Sequence, residues 1–381
     1  MSITNDNLKL QLIDSLVHQG FELRDERLLL PSDLTKEKLR ELHKEATRHR
    51  IARSREGLAG HESILLARMA HGQDLVPEDI RPEIVQVQPD SEDELLFRYA
   101  SLHWTIPVSS GYGRRLRFLI LDGANRKLIG IVGLGDPVFS LAHRDSWIGW
   151  TKEDRRERLH HVMDAFVLGA VPPYSYLLCG KLVAMLVASN EVREAFKQKY
   201  AGRTSLIQKR VLQGELALVT TTSALGRSSV YNRIGYAGRL LYQSVGFTKG
   251  YGEFHFSNGM YSTISEYVVT NCKPTAKHAL WGTGFRSRRE VVKKCLAAAG
   301  LSAEWLNHGI QREIFVVPLA SNSARFLTGQ DASIQYYDQP ASKLAEWFQE
   351  RWLLPRSQWD KRYLSWEPDT WRLWPEGSRN A

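Results

Sequence analysis

The pattern of apolar and polar residues changes near residue 90. Before that point, charged and apolar residues recur at helical spacing, most clearly over residues 34–55, where Thr35 is placed to cap a helix. After it, residues 114–122 and 127–135 are rich in apolar residues and are separated by a short turn that contains glycine. That arrangement is typical of an antiparallel β-hairpin. The pattern therefore predicts a helical N-terminal region followed by a β-rich core.

Beyond this hairpin, apolar runs alternate with helical patterns. In order, the predicted elements are a strand over residues 146–150, a helix over 152–165 capped by Thr151, a strand over 165–171, helices over 174–189 and 190–200, and a strand over 214–222. A Pro172-Pro173 turn joins the second of these strands to its helix. This order predicts a mixed α/β fold.

The last part of the chain is unusually rich in tryptophan. Six of the eleven tryptophans are Trp347, Trp352, Trp359, Trp366, Trp371 and Trp374, without a regular repeat. Such a tail either wraps back onto the body of the protein or offers a docking surface to a partner. By composition we divide the chain into a helical N-terminal region (1–90), a core (91–270), a basic α/β extension (271–330) and a Trp-rich C-terminal tail (331–381).

Composition adds two constraints. The 381 residues include 43% hydrophobic and 24% charged residues, as in ordinary globular proteins, and the three cysteines form neither a disulfide framework nor a cysteine zinc motif. We see no signal peptide and no apolar run long enough to span a bilayer, so we expect a cytoplasmic protein with no membrane partner. The formal charge of +9 favours an anionic partner such as nucleic acid.

The strongest functional signal is the Arg/Tyr stretch, residues 220–252, which contains no Asp or Glu. Cations suit a phosphate backbone, and flat rings offer stacking faces for bases. The candidate nucleic-acid contacts here are Arg227, Arg233, Arg239, Lys249, Tyr231, Tyr236 and Tyr242. The alternative is a basic, Gly-rich hairpin whose rings pack into a core. A second basic segment, residues 273–294, holds seven basic residues against one acid and adds Arg286, Arg288 and Arg289 as candidates.

Candidate catalytic residues are fewer. Tyr231 is a candidate in the basic stretch, and Glu253 and His255 are two residues apart in a predicted strand, where both side chains point to one side. They are either an acid/base pair or a hydrogen-bonded pair. His160 and Asp164 share a face of a predicted helix, but two ligands do not make a zinc site, so we predict no metal centre.

A candidate cofactor site lies where the strand over residues 165–171 meets the following helix. Free backbone amides and the positive end of a helix favour an anion there, with Tyr174, Gly180 and Lys181 as candidate contacts. This unit resembles the pyrophosphate site of GNAT-type acetyltransferases, and residues 241–247 (LYQSVGF) resemble their LYxxxGF element. The resemblance implies acyl-coenzyme A, but the Gly-rich loop of those enzymes is absent, so the cofactor is left unknown.

Four blocks between residues 95 and 260 stand out: GRRLRFLILDG, LIGIVGLGDPVFSLAHRDSWIGW, DAFVLGAVPPYSYLLCGKLVAML and SSVYNRIGY. The most specific carries Arg144, Asp145, Trp147, Gly149 and Trp150. These blocks resemble the DruA family of Druantia anti-phage systems. The resemblance implies a role in defence against phage. The core is also distantly similar to Mom DNA-modification proteins, whose late Tyr/Asn region corresponds to Tyr231-Asn232.

We therefore expect a mixed α+β protein with a GNAT-like central domain, a helical N-terminal region and a Trp-rich C-terminal extension. The leading expectation is a defence protein that binds or acts on nucleic acid, DNA ahead of RNA. One alternative is a nucleobase-modifying transferase that uses an acyl-type cofactor. The other is a non-catalytic assembly protein that recruits a helicase, a nuclease or another defence protein. Whether the protein is an enzyme is left open.

Overall fold

A computed structural model describes residues 4–106, 108, 113–205, 209–275, 281 and 285–375, with residues 285 and 286 described for their backbone only. The α-helices of this part of the chain are α1 (Asn5–His18), α2 (Lys36–Leu58), α3 (Glu62–Leu66), α4 (Glu92–Leu102), α5 (Ala142–Ile148), α6 (Lys152–Arg158), α7 (Cys179–Leu186), α8 (Asn190–Tyr200), α9 (Met260–Asn271), α10 (Phe285–Ala298), α11 (Ser323–Leu327), α12 (Ala341–Phe348) and α13 (Leu354–Trp359). None of these helices combines the length and apolar character needed to cross a bilayer.

The strands form one large sheet and two small hairpins. They are β1 (Glu22–Arg24), β2 (Arg27–Leu29), β3 (Pro82–Gln86), β4 (Arg115–Asp122), β5 (Leu128–Gly135), β6 (Val162–Ala170), β7 (Leu218–Thr222), β8 (Gly235–Tyr236), β9 (Arg239–Leu240), β10 (Gln243–Phe247) and β11 (Glu313–Pro318). The seven-stranded sheet has the order β10-β11-β7-β6-β5-β4-β3, while β1-β2 and β8-β9 pair separately. The mixed α+β class and the predicted β4-β5 hairpin are confirmed.

One pair in the large sheet is parallel, and it is short. β6 and β7 pair only over Val162–Asp164 and Leu218–Thr220, although β6 continues to Ala170. Every other neighbouring pair in this sheet is antiparallel. The two central strands therefore diverge after three residues, and the edge of β6 beyond Asp164 has no ladder to β7.

Helices cover both faces of the sheet. Successive side chains of a strand point to opposite faces, and on β4 Phe118 and Ile120 pack into a core with Leu182 of α7, whereas Leu119 and Leu121 pack on the opposite face. Helices α7, α8 and α12 cover the first face. Helices α4, α5 and α11 cover the second face.

A second core is built from parts of the chain that are distant in sequence. Leu8 and Leu12 of α1 and Leu42 of α2 pack in one apolar cluster with Val292 of α10 and Trp305. The N-terminal helices are thus held by the segment that connects β10 to β11. Apolar burial across such a long sequence separation stabilises both segments at once.

The predicted strand over residues 146–150 is wrong, because this segment belongs to a helix. α5 ends at Ile148 and is capped by Gly149, whose φ of 83° favours glycine, and the helix is held by a buried ion pair. Arg144 is fully buried and donates two hydrogen bonds to Asp145, at 2.8 and 2.6 Å, and Arg155 donates a third at 2.7 Å. This ion pair gives Arg144 and Asp145, two residues of the most specific block that resembles the DruA family, a structural role.

The predicted helix over residues 152–165 is also too long. Thr151 caps α6 as expected, with Asp154 completing a capping box, but the helix ends at Arg158. β6 begins at Val162, and its backbone pairs with β7 over Val162–Asp164 and with β5 from Asp164 onward. His160 and Asp164 therefore do not share a helix face.

We expect that Asp145→Ala lowers the free energy of unfolding by about 3–5 kcal/mol, because it leaves the buried Arg144 guanidinium without its counter-ion. Urea unfolding followed by circular dichroism measures the change. As a matched control, Glu346→Ala removes the exposed carboxylate paired with Lys343 and should cost under about 1 kcal/mol. Equal costs for the two variants would contradict the structural role of the Arg144–Asp145 pair.

Candidate nucleic-acid interface

The Arg/Tyr stretch leaves the sheet at the end of β7, forms a short 3-10 turn at Tyr231–Arg233 and a tight hairpin, and returns as β10. The hairpin turn consists of Ala237 and Gly238, with φ values of 48° and 75°. Two residues with positive φ are typical of a type I′ turn, whose twist matches that of the flanking strands. The loop is therefore ordered by its turn chemistry and by the sheet below it.

The inner rings of the stretch fasten it to the sheet. Tyr242 is 1% exposed and donates to the carbonyl of Ala184 at 2.8 Å. Tyr231 stacks on Tyr242 with ring centroids 4.8 Å apart and meets Phe315 of β11 edge-on. Burial raises the pKa of both phenols, which keeps their protons in place. These two rings anchor the loop and are not free stacking faces.

Glu313, at the start of β11, holds the backbone of the same loop. Its carboxylate is buried and accepts hydrogen bonds from the amide of Ser228 at 2.9 Å, from the Asn232 side chain at 3.3 Å and from the Ser244 hydroxyl at 2.8 Å. Because the stretch itself has no acid, this carboxylate from another strand satisfies its polar groups.

Most of the predicted cations of the stretch point outward. Arg227, Arg233 and Lys249 are exposed, and within the described residues none of them makes an ion pair with a carboxylate. Arg239 differs, because it is half-buried, stacks 3.6 Å from the ring centroid of Tyr337 and donates to Gln339. Three of the four cations are thus available to an anion.

Lys181 of α7 lies near two cations from other parts of the fold, Arg233 and Arg351, the latter between α12 and α13. Burial lowers the pKa of Lys181, and the charges of Arg233 and Arg351 lower it further. Within the described residues these three cations make no ion pair. We call Lys181, Arg233 and Arg351 the cation cluster.

Aromatic rings line the cation cluster. The Lys181 ammonium lies 4.7 Å from the ring centroid of Trp352, and the Arg351 guanidinium carbon lies 5.4 Å from the same centroid. Trp347 donates to the carbonyl of Gly235 at 2.9 Å and meets Tyr236 edge-on at 5.9 Å. The Arg/Tyr stretch, the start of α7 and the Trp-rich tail therefore meet at one place on the surface.

The other candidate cofactor residues are Tyr174 and Gly180. Tyr174 is fully buried and donates to Asp122 at 2.9 Å, so its side chain faces the interior. Gly180 has open space where a side chain would stand. The first turn of α7 has no side-chain cap, which leaves its amides without a side-chain acceptor.

Glu253 and His255 do not lie in a strand, which corrects that expectation. Glu253 precedes a 3-10 turn at Phe254–Phe256 and both side chains are buried. His255 bonds through Nε2 to the carbonyl of Trp305 at 2.7 Å, while its Nδ1 and the Oε2 of Glu253 have no hydrogen-bond partner among the described residues. No hydrogen bond joins the two side chains in this part of the structure.

Two of the predicted residues of the second basic segment, Arg288 and Arg289, are near enough to Glu253 to act on it electrostatically. Arg288 is half-buried, with its guanidinium carbon 4.3 Å from the ring centroid of Tyr261, and Arg289 is exposed. Burial raises the pKa of Glu253, and the charges of Arg288 and Arg289 oppose that rise. Arg286 falls where only the backbone is described. The structure therefore does not bring this segment together with the cation cluster through any contact among described side chains.

Two further histidines accompany His255. His43 stacks on Phe254 with centroids 4.0 Å apart and receives a hydrogen bond from Arg312 at 3.0 Å, and His308 lies 6.0 Å from His255 between ring centroids. Burial lowers the pKa of His43 and of His255 to about 4 and that of His308 to about 3. The part of the chain that the structure describes has no group of three side chains suited to hold a metal ion.

Sequence reasoning missed Arg351, Trp347 and Trp352 as members of this interface. The tryptophans stood out by number, but nothing in their spacing places them beside residues 181 and 233. The feature of the sequence that could have identified these residues is the alternation of cations and aromatic rings in the tail.

Fold and surface together define a mixed α+β protein with unpaired cations set among aromatic rings. The family model described as "Druantia protein DruA" matches residues 33–329. The chain is 36% identical over 368 residues to the Druantia protein DruA of Escherichia coli (strain UMEA 4076-1), covering 96% of this chain and 91% of that protein. No solved structure matches the chain. The chain belongs to the DruA family, and the similarity extends well beyond residues 95–260 into both flanks.

The buried histidines predict acid sensitivity. Their charged form is disfavoured in the folded state, so stability is fully present above the unfolded-state pKa of 6.5 and falls as the pH drops toward the folded values. For His255 alone we expect a loss of about 2 kcal/mol between about pH 7 and pH 5.

His255→Gln removes this proton uptake and should reduce the pH dependence of the urea midpoint, whatever its effect on stability at neutral pH. His61→Gln, at an exposed histidine, is made in parallel as the control for the substitution itself. An unaltered slope in His255→Gln would refute the assignment.

Proposed function

We propose that this protein acts in defence against phage by binding nucleic acid at the cation cluster and the exposed cations of the Arg/Tyr stretch. Membership of the DruA family supports the defence role. The observation that carries the binding role is the cation cluster itself. Lys181 is acted on by the charges of both Arg233 and Arg351, and within the described residues none of the three makes an ion pair with a carboxylate.

The electrostatic argument concerns the free energy of like charges. Several cations held close together raise the free energy of the surface, and a bound phosphate backbone lowers it again while releasing counter-ions. The net charge of +9 acts in the same direction at longer range. The rings of Trp347 and Trp352 beside these cations offer the base contacts that phosphate binding alone lacks.

We expect that Lys181→Ala, Arg233→Ala and Arg351→Ala each weaken binding of a labelled oligonucleotide. Each should reduce the slope of log affinity against log salt by about one unit, because one phosphate contact is lost. Fluorescence anisotropy over a salt series, with DNA and RNA strands of equal length, measures both quantities.

Lys152→Ala is the matched control for these variants. Lys152 is exposed and lies on α6, whose Arg155 and Arg158 contact α5 and α11 on the opposite face of the sheet. Lys152→Ala removes one positive charge, as each cluster variant does, but on the opposite face of the sheet. We therefore expect this variant to leave the salt slope unchanged. The proposal would be wrong if none of the three cluster variants changed the affinity, or if Lys152→Ala lowered the affinity as much as they do.

A second candidate function is a GNAT-like transferase that modifies a nucleobase. The observation in its favour is the divergence of β6 from β7 beside the uncapped start of α7, an arrangement suited to an anionic cofactor. Asp164 lies at the last paired position, accepts from the Thr220 hydroxyl at 2.7 Å, and burial raises its pKa to about 6. A carboxyl group with such a pKa suits a general base near neutral pH.

This candidate predicts that the full chain binds coenzyme A in a calorimetric titration. Lys181→Ala should weaken binding severalfold by removing the cation at the start of α7, whereas Asp164→Asn should leave affinity unchanged and abolish transfer. Absence of a binding heat at neutral pH would remove the acyl-type cofactor from consideration.

A further inference from the structure

The helix that carries the first three tail tryptophans is continuous from residue 341 to residue 359. It consists of α12, a π-turn at Gln349–Leu353 and α13. Pro355 lies in the first turn after the π-turn and has no amide hydrogen to donate to the carbonyl of Arg351. The helix accommodates this missing hydrogen bond at the π-turn.

The π-turn brings Trp347 and Trp352 to one face. In an α-helix, residues five apart point in different directions, but a π-turn takes up an extra residue and aligns them. The Arg351 guanidinium carbon accordingly lies 5.8 Å from the ring centroid of Trp347 and 5.4 Å from that of Trp352. Trp359 follows Trp352 by seven residues, or about two α-helical turns, and continues the same face.

Cations alternate with these rings. Lys181 and Arg351 lie at Trp352, and the Arg356 guanidinium carbon lies 3.9 Å from the ring centroid of Trp359. The helix therefore presents a row of three rings, with unpaired positive charge at Trp352 and a guanidinium paired with Asp360 at Trp359. We call Trp347, Trp352 and Trp359 the tryptophan row.

The rings of the row are open to solvent to different degrees. Trp359 is 69% exposed and Trp347 is 37% exposed, while Trp352 is half-buried against the core. The later tail tryptophans differ, because Trp366 and Trp374 are buried against the other face of the sheet. Within the described residues no other aromatic ring pairs with Trp359. The Arg356 guanidinium covers one face of the Trp359 indole, and the exposed remainder of the ring is open for stacking.

We propose that the tryptophan row binds single-stranded nucleic acid, with unpaired bases stacked on its rings and the phosphates at the cation cluster. This inference rests on the nucleic-acid binding proposed above and adds the strandedness of the ligand. A duplex stacks its bases internally and presents only phosphates and groove edges, whereas a single strand can turn its bases onto an indole face.

The charges argue against an apolar protein partner at the same face. Such a partner would remove water from Lys181, Arg233 and Arg351 without supplying counter-ions, and desolvating unpaired charges is costly. A single strand supplies rings and phosphates together. Charge complementarity therefore selects the polyanion.

The test compares the intact chain with Trp359→Ala on three ligands: a single strand, the same strand without bases (abasic), and the duplex. We expect the intact chain to prefer the single strand, and Trp359→Ala to weaken that binding about tenfold. The abasic strand keeps every phosphate, so the substitution should leave its binding unchanged. The duplex should also bind equally to both proteins.

Phe139→Ala is the matched control. Phe139 is 51% exposed and has the Arg155 guanidinium carbon 4.8 Å from its ring centroid, but it lies outside the row. It should bind all three ligands as the intact chain does. Trp359→Phe keeps a stacking face and should recover part of the loss. Because Trp359 is largely exposed, circular dichroism of its variants should match the intact chain.

The outcomes separate this inference from the proposed function. If Trp359→Ala binds the single strand normally, or weakens the abasic strand and the duplex equally, the stacking role is refuted while the cation cluster still stands. If none of the three ligands binds with a salt-dependent affinity, the proposed function fails and this inference fails with it. A preference for the duplex in the intact chain would likewise overturn the single-strand assignment.

Discussion

The stack of Tyr231 on Tyr242 and Phe315 determines where the charges of the Arg/Tyr stretch point. Those rings pack on the same sheet face as α7, and Glu313 holds the loop backbone from the neighbouring strand. With its apolar side chains fixed inward, the loop has only its outer side left for guanidinium groups. Without this ring stack, nothing would hold Arg233 beside Lys181. The interface therefore depends on the stack.

The same anchor explains how three separate segments form one surface. α7 follows the divergence of β6 from β7, the Arg/Tyr stretch follows β7, and the helix of residues 341–359 packs against α7. Each segment supplies one cation of the cluster. Trp366 and Trp374 are buried on the opposite face of the sheet. The Trp-rich tail therefore contributes to the surface through its first tryptophans and to the core through its last ones.

Local patterns predicted the elements whose stability is local. The β4-β5 hairpin and the Thr35 and Thr151 caps are confirmed, because alternation and capping chemistry act between near neighbours. Residues 146–150 were predicted wrongly as a strand, since the helix there depends on a buried ion pair that reaches Arg155. The helix predicted over 152–165 ended early because pairing with two strands outweighs helical propensity. The four proposed regions of the chain stay a prediction, as does the role of each candidate site residue.

By itself, the sequence determined the class of the fold, the family, and the presence of an acid-free stretch and a Trp-rich tail, because these follow from residue types and local spacing. The tertiary structure decided which tyrosines anchor and which cations stay free, because burial depends on what packs from other strands. It also decided that tryptophans spaced by five and seven residues form one row, since a π-turn, not the spacing alone, sets their direction.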